Sequence, residues 1–142
     1  MVRDFAKSII SLSATSSTSR VENSSKKNFV SVPVTKLDKQ TWRVDTDGKP
    51  CTVNYTVYAN DLSIRSAFMN DQYAFINGTS AFLRVLGFEQ ASCELDIELD
   101  DTDPSTANWK AYTSMPIRSE STSSKRWHFA EKNYDELIDH PI

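Results

Sequence analysis

The chain has 142 residues, of which 39% are hydrophobic and 25% charged, and its formal net charge is −3. This length suits one domain, and the hydrophobic content is above that of disordered chains. The acidic balance argues against nucleic-acid binding through phosphates, and no stretch approaches the ~18 apolar residues of a membrane span. We therefore predict one β-rich domain over residues 1–142, with neither a nucleic-acid nor a membrane partner.

Residues 11–28 are rich in serine and threonine. This composition is typical of a flexible surface loop. Ile10, Leu12 and Ala14, however, alternate with serines. A weak edge strand that runs into the loop is therefore an equal alternative.

From Val30 onward, apolar and polar residues alternate with a period of two, which is the pattern of half-buried strands. The segment VSVPVT predicts an edge strand because it contains Pro33. Trp42–Val44 predicts a second strand, and Asp47-Gly48 supplies the residues of a hairpin turn. The return strand is predicted at CTVNYTVYA, residues 51–59.

The second half of the chain shows several short apolar runs separated by turn residues. We predict a loop at 60–71 and a turn at Asn77-Gly78. We also predict a loop at 119–125. The predicted strands are YAFI (73–76), SAFLRVLGF (80–88), CELDIELD (93–100), NWKAYTSMP (108–116) and WHFA (127–130).

The segment AEKNYDELIDHP, residues 130–141, is predicted as the one helix. Asn133 is a plausible N-cap with Glu136 three residues later, and Pro141 limits the C-terminal end. Many short strands and one short C-terminal helix indicate a mostly-β fold. We expect an antiparallel β-sandwich or a large twisted antiparallel sheet.

Residue types that carry chemistry are few and scattered. The candidate metal ligands form no close-spaced pair of the kind found in zinc sites, and they are Cys51, Cys93, His128 and His140. We expect the two cysteines to be buried free thiols. His128 is predicted to be a strand residue that points to solvent, and His140 a helix-end residue.

Clustered aspartates are the remaining metal candidates. Asp100, Asp101 and Asp103 lack the Gly and Glu that a calcium-binding EF-hand loop needs, so we interpret them as an acidic loop. Asp45 and Asp47 flank a turn and receive the same interpretation. Because there is also no G-x-S-x-G motif, we predict no catalytic, cofactor-binding or metal residue in this chain.

The segment YTVYANDLSIRSAFMNDQYAFINGTSAFL, residues 55–83, resembles the N-terminal domain of the glycyl aminopeptidase family. The similarity extends to Lys36–Val44, Trp109–Thr113, the C-terminal NYDELIDHPI and the initial MVRDFAKSI. Members of the glycyl aminopeptidase family are zinc peptidases with a β-rich N-terminal domain, a thermolysin-like catalytic domain that carries H-E-x-x-H, and a PDZ domain. The resemblance implies a catalytic domain of the same polypeptide as partner and zinc bound there.

Two departures from the family pattern concern the ends of the domain. The family's W-x-P-G-S-Y motif and H-E-x-x-H motif are both missing, so we expect a non-catalytic, incomplete N-terminal domain. Loss of the first strands would leave an unpaired sheet edge, from which we expect self-association.

Asp61 and Arg65, in the best-matching segment, are expected to bind each other or the turn backbone.

The alternative is a free-standing β-sandwich that binds a carbohydrate or a protein. Exposed aromatic side chains could form its ligand platform, with Trp109, Tyr112 and Trp127 as candidates. H-E-x-x-H downstream in the reading frame would favour the peptidase. The sequence does not decide whether the protein is located in the cytoplasm or in the periplasm.

Overall fold

The computed structural model describes residues 5–17, 29–100, 102–121 and 125–142. By its contacts the chain divides into two compact units, Met1–Tyr58 and Ala59–Ile142. The strands described are β1 Ile9–Ser17, β2 Phe29–Val32, β3 Val34–Lys36, β4 Trp42–Val44, β5 Cys51–Val57, β6 Ala67–Met69, β7 Ala74–Ile76, β8 Cys93–Glu98, β9 Ile117–Ser121 and β10 Arg126–Glu131. The α-helices are α1 Gly78–Ala81 and α2 Tyr134–Asp139, and 3-10 turns occupy Phe5–Ser8 and Pro104–Thr106.

The first unit contains a three-stranded antiparallel sheet in the order β2-β1-β5. Ala14 at its centre lies opposite Val32 on one side and Val53 on the other. The predicted weak edge strand is therefore wrong in position, because β1 is paired on both sides. A bulge between Ile9 and Ser11 shifts the alternation, which leaves Ile10 65% exposed. The rest of the predicted loop, residues 18–28, lies outside the described residues.

The predicted strand at Trp42–Val44 is confirmed as β4, whereas the single strand predicted across VSVPVT is interrupted at Pro33. Pro33 separates β2 from β3, and β3 forms a two-stranded ladder with β4. Asp47 and Gly48 adopt the positive φ values of 51° and 73° that the predicted turn requires. The strands on either side of this turn nevertheless pair elsewhere, β4 with β3 and β5 with β1. The predicted hairpin is therefore wrong.

The second unit begins with the ladder of β6 and β7, followed by α1. The predicted loop at 60–71 contains β6, and YAFI becomes β7 as expected. The predicted turn at Asn77-Gly78 and strand at 80–88 are wrong. The Asn77 carboxamide accepts a hydrogen bond from the Thr79 N–H at 3.1 Å and caps α1. N-capping by an asparagine therefore prevails over the β propensity of the apolar run that follows.

A second three-stranded antiparallel sheet, in the order β8-β10-β9, covers the main core. As predicted, one face of CELDIELD packs against that core, with Cys93, Leu95, Ile97 and Leu99 on it. The core itself consists of Met115, Trp127, Phe129 and Leu137.

Two predictions in this part of the unit are wrong. Residues 108–116 form no strand, and only Met115 from that segment is fully buried. The loop predicted at 119–125 is wrong for residues 119–121, because Ile117–Ser121 forms β9, and residues 122–124 lie outside the described residues. Pairing of His128 with Ser119 across the sheet decides the outcome here, because cross-strand contacts outweigh local composition.

The C-terminal helix α2 forms where the sequence predicted it. The Asn133 carboxamide accepts a hydrogen bond from the Glu136 N–H at 2.9 Å, and Leu137 is buried in the core. After the helix, the backbone groups of Ile142 exchange two hydrogen bonds with those of Ile76 on β7.

The prediction of a mostly-β, antiparallel fold is confirmed, because every strand pair described is antiparallel. The described strands form two three-stranded and two two-stranded sheets. No helix in the described ranges has the length and apolar content needed to cross a membrane.

Candidate functional site

The structure shows how exposed the two cysteines are and which groups bind the aspartates singled out in the sequence. Both thiols are free; Cys51 is exposed, so its predicted burial is wrong, whereas Cys93 is half-buried. Burial raises the pKa of the Cys93 thiol. Asp100 accepts hydrogen bonds from the hydroxyl and the N–H of Thr102, and these bonds lower its pKa. Asp101 lies outside the described residues.

Asp61 orders the loop that precedes β6. Its carboxylate accepts hydrogen bonds from the Ser63 N–H at 2.9 Å and the Ser66 hydroxyl at 3.1 Å. The N–H of Arg65 in turn bonds to the Ser63 hydroxyl at 3.3 Å. For Asp61 the expected bonding to turn backbone is therefore present.

The first cluster of titratable side chains lies on the outward face of β8, β10 and β9. Asp96, His128 and Ser119 lie directly opposite one another on these three strands. His128 Nδ1 lies 3.0 Å from Asp96 Oδ1, while Arg126 binds Asp96 at 3.2 Å and Glu98 at 3.0 Å. A surface depression of about 540 Å³ lies here, and it is lined by Asp96, Ser119, Glu120, Ser121, Arg126 and His128.

This order of serine, histidine and aspartate resembles a nucleophilic triad, but its bonding is that of an ion-pair ladder. Asp96 is shared between His128 and Arg126, and the bond from Arg126 is the main cause of its lowered pKa. In the described part of the chain no side-chain hydrogen bond joins Ser119 to His128. The arrangement therefore fits a role in stabilising cross-strand pairing.

The second cluster, which we call the C-terminal cluster, consists of Glu131, Glu136, His140 and Ser114. Glu131 ends β10, Glu136 lies in the first turn of α2, and His140 is the C-cap of that helix. One ligand atom from each of the two glutamates and the histidine lies within 4.8 Å of the others. His140 Nε2 is 3.5 Å from Glu131 Oε1, and His140 Nδ1 is 2.7 Å from Ser114 Oγ.

Local packing explains why these side chains converge. Leu137 anchors α2 on the core, and Glu136 and His140 are four residues apart, a spacing that places two side chains on the same helix face. Met115, also a core residue, places the adjacent Ser114 beside the end of the helix. The core thus fixes the backbone positions from which the cluster is built.

At the C-terminal cluster, a neighbouring lysine favours the ionised form of Glu136. Lys132 Nζ lies 2.6 Å from Glu136 Oε1, and this bond and its charge lower the pKa of Glu136. The side chain of Glu131 is only 11% exposed and that of His140 24%. The cluster can therefore offer two carboxylates and one imidazole to a cation.

Sequence reasoning missed the C-terminal cluster because it searched for close-spaced cysteines and histidines. The available signal was the mixed pair Glu136-x-x-x-His140 on a predicted helix, with Glu131 five residues before it. The contribution of Ser114 had no local signal, since 26 residues separate it from His140.

The comparisons with known proteins agree with this fold. Residues 1–142 match the family described as the Peptidase M61 N-terminal domain. The chain belongs to this family. The resemblance to a peptidase N-terminal domain found in the sequence is thereby confirmed.

A solved structure with a similar chain is the crystal structure of an aminopeptidase N family protein from Idiomarina loihiensis. The two are 39% identical in sequence, with a TM-score of 0.78. The alignment covers 99% of this chain and 22% of that chain, so the M61 domain corresponds to less than a quarter of its neighbour. A comparison with curated proteins found no match.

Proposed function

We propose that this M61 N-terminal domain scaffolds the catalytic domain of its parent peptidase and bounds the substrate cleft. The observation that carries the proposal is a set of large apolar side chains that the second unit leaves in water. They are more than 60% exposed, and they are Leu62, Ile64, Val85, Leu86, Phe88 and Tyr112. A contiguous exposed apolar patch marks a protein-binding surface, and we infer that Leu62 and Ile64 belong to one.

The occupant we infer is the catalytic domain of the same polypeptide. In the Idiomarina loihiensis protein, most of the chain lies outside the region that aligns with this domain. Leu62 and Ile64 stand on a loop that the Asp61 carboxylate holds in shape through Ser63 and Ser66. A preordered loop loses little conformational entropy on docking, which suits a permanent contact between domains.

Catalysis itself would reside in the rest of the parent polypeptide. The catalytic zinc implied by the resemblance is held by an H-E-x-x-H motif, which this sequence does not contain. Trp127, a candidate for the aromatic platform of a binding module, is 4% exposed and belongs to the core. Its burial removes Trp127 from that platform, whereas Tyr112 is 76% exposed. Self-association through a sheet edge stays a prediction.

The docking proposal is tested by Ile64→Ser in the full-length parent enzyme, with Ile117→Ser as the matched control. Ile64 is 76% exposed and Ile117 52%, so neither change should unfold the isolated domain. We expect I64S to make the domain boundary more sensitive to limited proteolysis and to lower kcat/KM for amino-acid p-nitroanilides at least about threefold, which is a loss of ~0.65 kcal/mol.

The control should leave both measurements unchanged. Equal behaviour of the two variants would contradict the docking surface. A full-length enzyme without residues 1–142 that keeps its kinetics and stability would overturn the scaffold itself.

A further inference from the structure

We propose that Glu131, Glu136 and His140 bind a divalent transition-metal ion of the zinc class. Imidazole and carboxylate ligands suit such ions. The proposal uses side chains of the second unit only and does not depend on the proposed scaffold function.

The spacing of the ligand atoms fits the geometry of such a site. Two ligands that lie 2.0–2.2 Å from one tetrahedral ion are roughly 3.3–3.6 Å apart. His140 Nε2 and Glu131 Oε1 are already 3.5 Å apart. All three ligand atoms lie within 4.8 Å of one another, so a change of side-chain rotamer at Glu136 would complete the set.

The second nitrogen of the imidazole has the partner that metal-binding histidines require. When Nε2 binds a metal, Nδ1 carries the ring proton, and a hydrogen-bond acceptor then fixes the tautomer and the ring orientation. Ser114 Oγ lies 2.7 Å from His140 Nδ1 and can accept that proton. This contact comes from a segment outside α2 and orients the imidazole with Nε2 toward Glu131.

The charge of the cluster also calls for a cation. Glu131 and Glu136 bring two negative charges into a region where both side chains are partly shielded from water, at 11% and 40% exposure. Lys132 contacts Glu136 at 2.6 Å, and the partner of Glu131 is the His140 imidazole at 3.5 Å. A divalent ion would balance both carboxylates, and its fourth position would be open to water.

Metal binding would tie the end of β10 to the first turn and the C-cap of α2. Because the unfolded chain cannot preserve this arrangement, binding would stabilise the second unit by mass action. Glu136→Gln and His140→Ala remove ligands, whereas Ser114→Ala removes only the partner of the imidazole. Lys132→Gln removes the cation that competes for Glu136.

The experiment is titration of the untagged 142-residue chain with Zn²⁺ by calorimetry, and with Co²⁺ by visible absorption. We expect one ion per chain, a rise in Tm with Zn²⁺, and affinity at least about 10–100-fold weaker in E136Q and H140A. S114A should weaken binding without abolishing it, and K132Q should strengthen it. Circular dichroism of the metal-free variants checks that each one is folded.

The matched control is His128→Ala. It removes the other histidine of the chain, which is paired with a single carboxylate, Asp96. Its zinc affinity should equal that of the unchanged chain. The proposal is overturned if the chain binds no Zn²⁺ up to millimolar concentration. It is overturned equally if folded E136Q and H140A bind as tightly as the unchanged chain.

Discussion

The two units of the chain bury very different side chains. In the first unit the fully buried residues described are Ala14, Ser16 and Val32, all of them small or medium-sized. The second unit buries Trp127, Phe129, Met115 and Leu137 in one cluster. Hydrophobic stabilisation grows with the apolar area removed from water, so the second unit has the stronger core of its own.

The difference arises from the residues that face inward. Strand β1 is built largely of serine and threonine, and the Ser16 hydroxyl is satisfied by a 2.9 Å bond to the Pro50 carbonyl. Strand β10 instead places Trp127 and Phe129 on one face. Ladder hydrogen bonds therefore have a larger share in holding the first unit, and aromatic packing in holding the second.

The largest effect is expected from Phe129→Ala. Phe129 is 3% exposed, and removal of a buried phenylalanine costs about 3–5 kcal/mol, including the cavity that remains. Urea denaturation measures the loss. Hydrogen exchange by mass spectrometry should show that protection disappears in β8 and β10.

The counterpart in the first unit is Val32→Ala, which removes two buried carbon atoms. At ~0.8 kcal/mol for each, the cost should be about 1.6 kcal/mol and should appear in β1 and β2. If V32A destabilises the chain as strongly as F129A, the contrast between the two units is incorrect.

An intermediate effect is expected from Gly78→Ala. A Cβ at this position would lie 2.9 Å from the Ile138 Cα and 3.0 Å from the Phe82 side chain, so α1 and α2 must separate. Overpacking of this kind costs about 1–3 kcal/mol, measurable by thermal unfolding.

Gly48→Ala provides the control for this change. A Cβ at Gly48 would meet no atom within 4 Å, and its cost is restricted to the backbone strain of φ +73°, about 1 kcal/mol. An increase in stability for G78A, as in an exposed helix, would show that the two helices do not approach closely.

The smallest effect concerns pH and the ion-pair ladder of the second unit. The Arg126 side chain lowers the pKa of Asp96 in the folded chain. A folded-state pKa below the unfolded value of ~3.9 gives stability that is present above that value. This stability is lost as the pH falls through the folded-state pKa.

Asp96→Asn should therefore lower Tm slightly at pH 7 and flatten its decline below about pH 4. The matched control is Glu94→Gln, since Glu94 lies on the same strand but opposite Ala130. An unchanged acid dependence in D96N would show that the contacts of Asp96 with Arg126 and His128 contribute no stability.

Local patterns in the sequence were sufficient wherever one side-chain type decides the structure. The alternation in CELDIELD predicted β8 and its buried face, and Asn133 predicted the start of α2. They were insufficient where two chemistries compete over a few residues. At Asn77 the cap favoured a helix although Phe82 and Leu83 favour a strand.

The sequence by itself determined the mostly-β class, the family resemblance and the capped C-terminal helix, because each depends on residues close together in the chain. The tertiary structure alone decided which strands pair, as with β1 at the centre of its sheet and β9 beside β10. It also brought Ser114 to His140 across 26 residues. Such contacts depend on packing against a shared core, and no local pattern specifies which distant segment will share it.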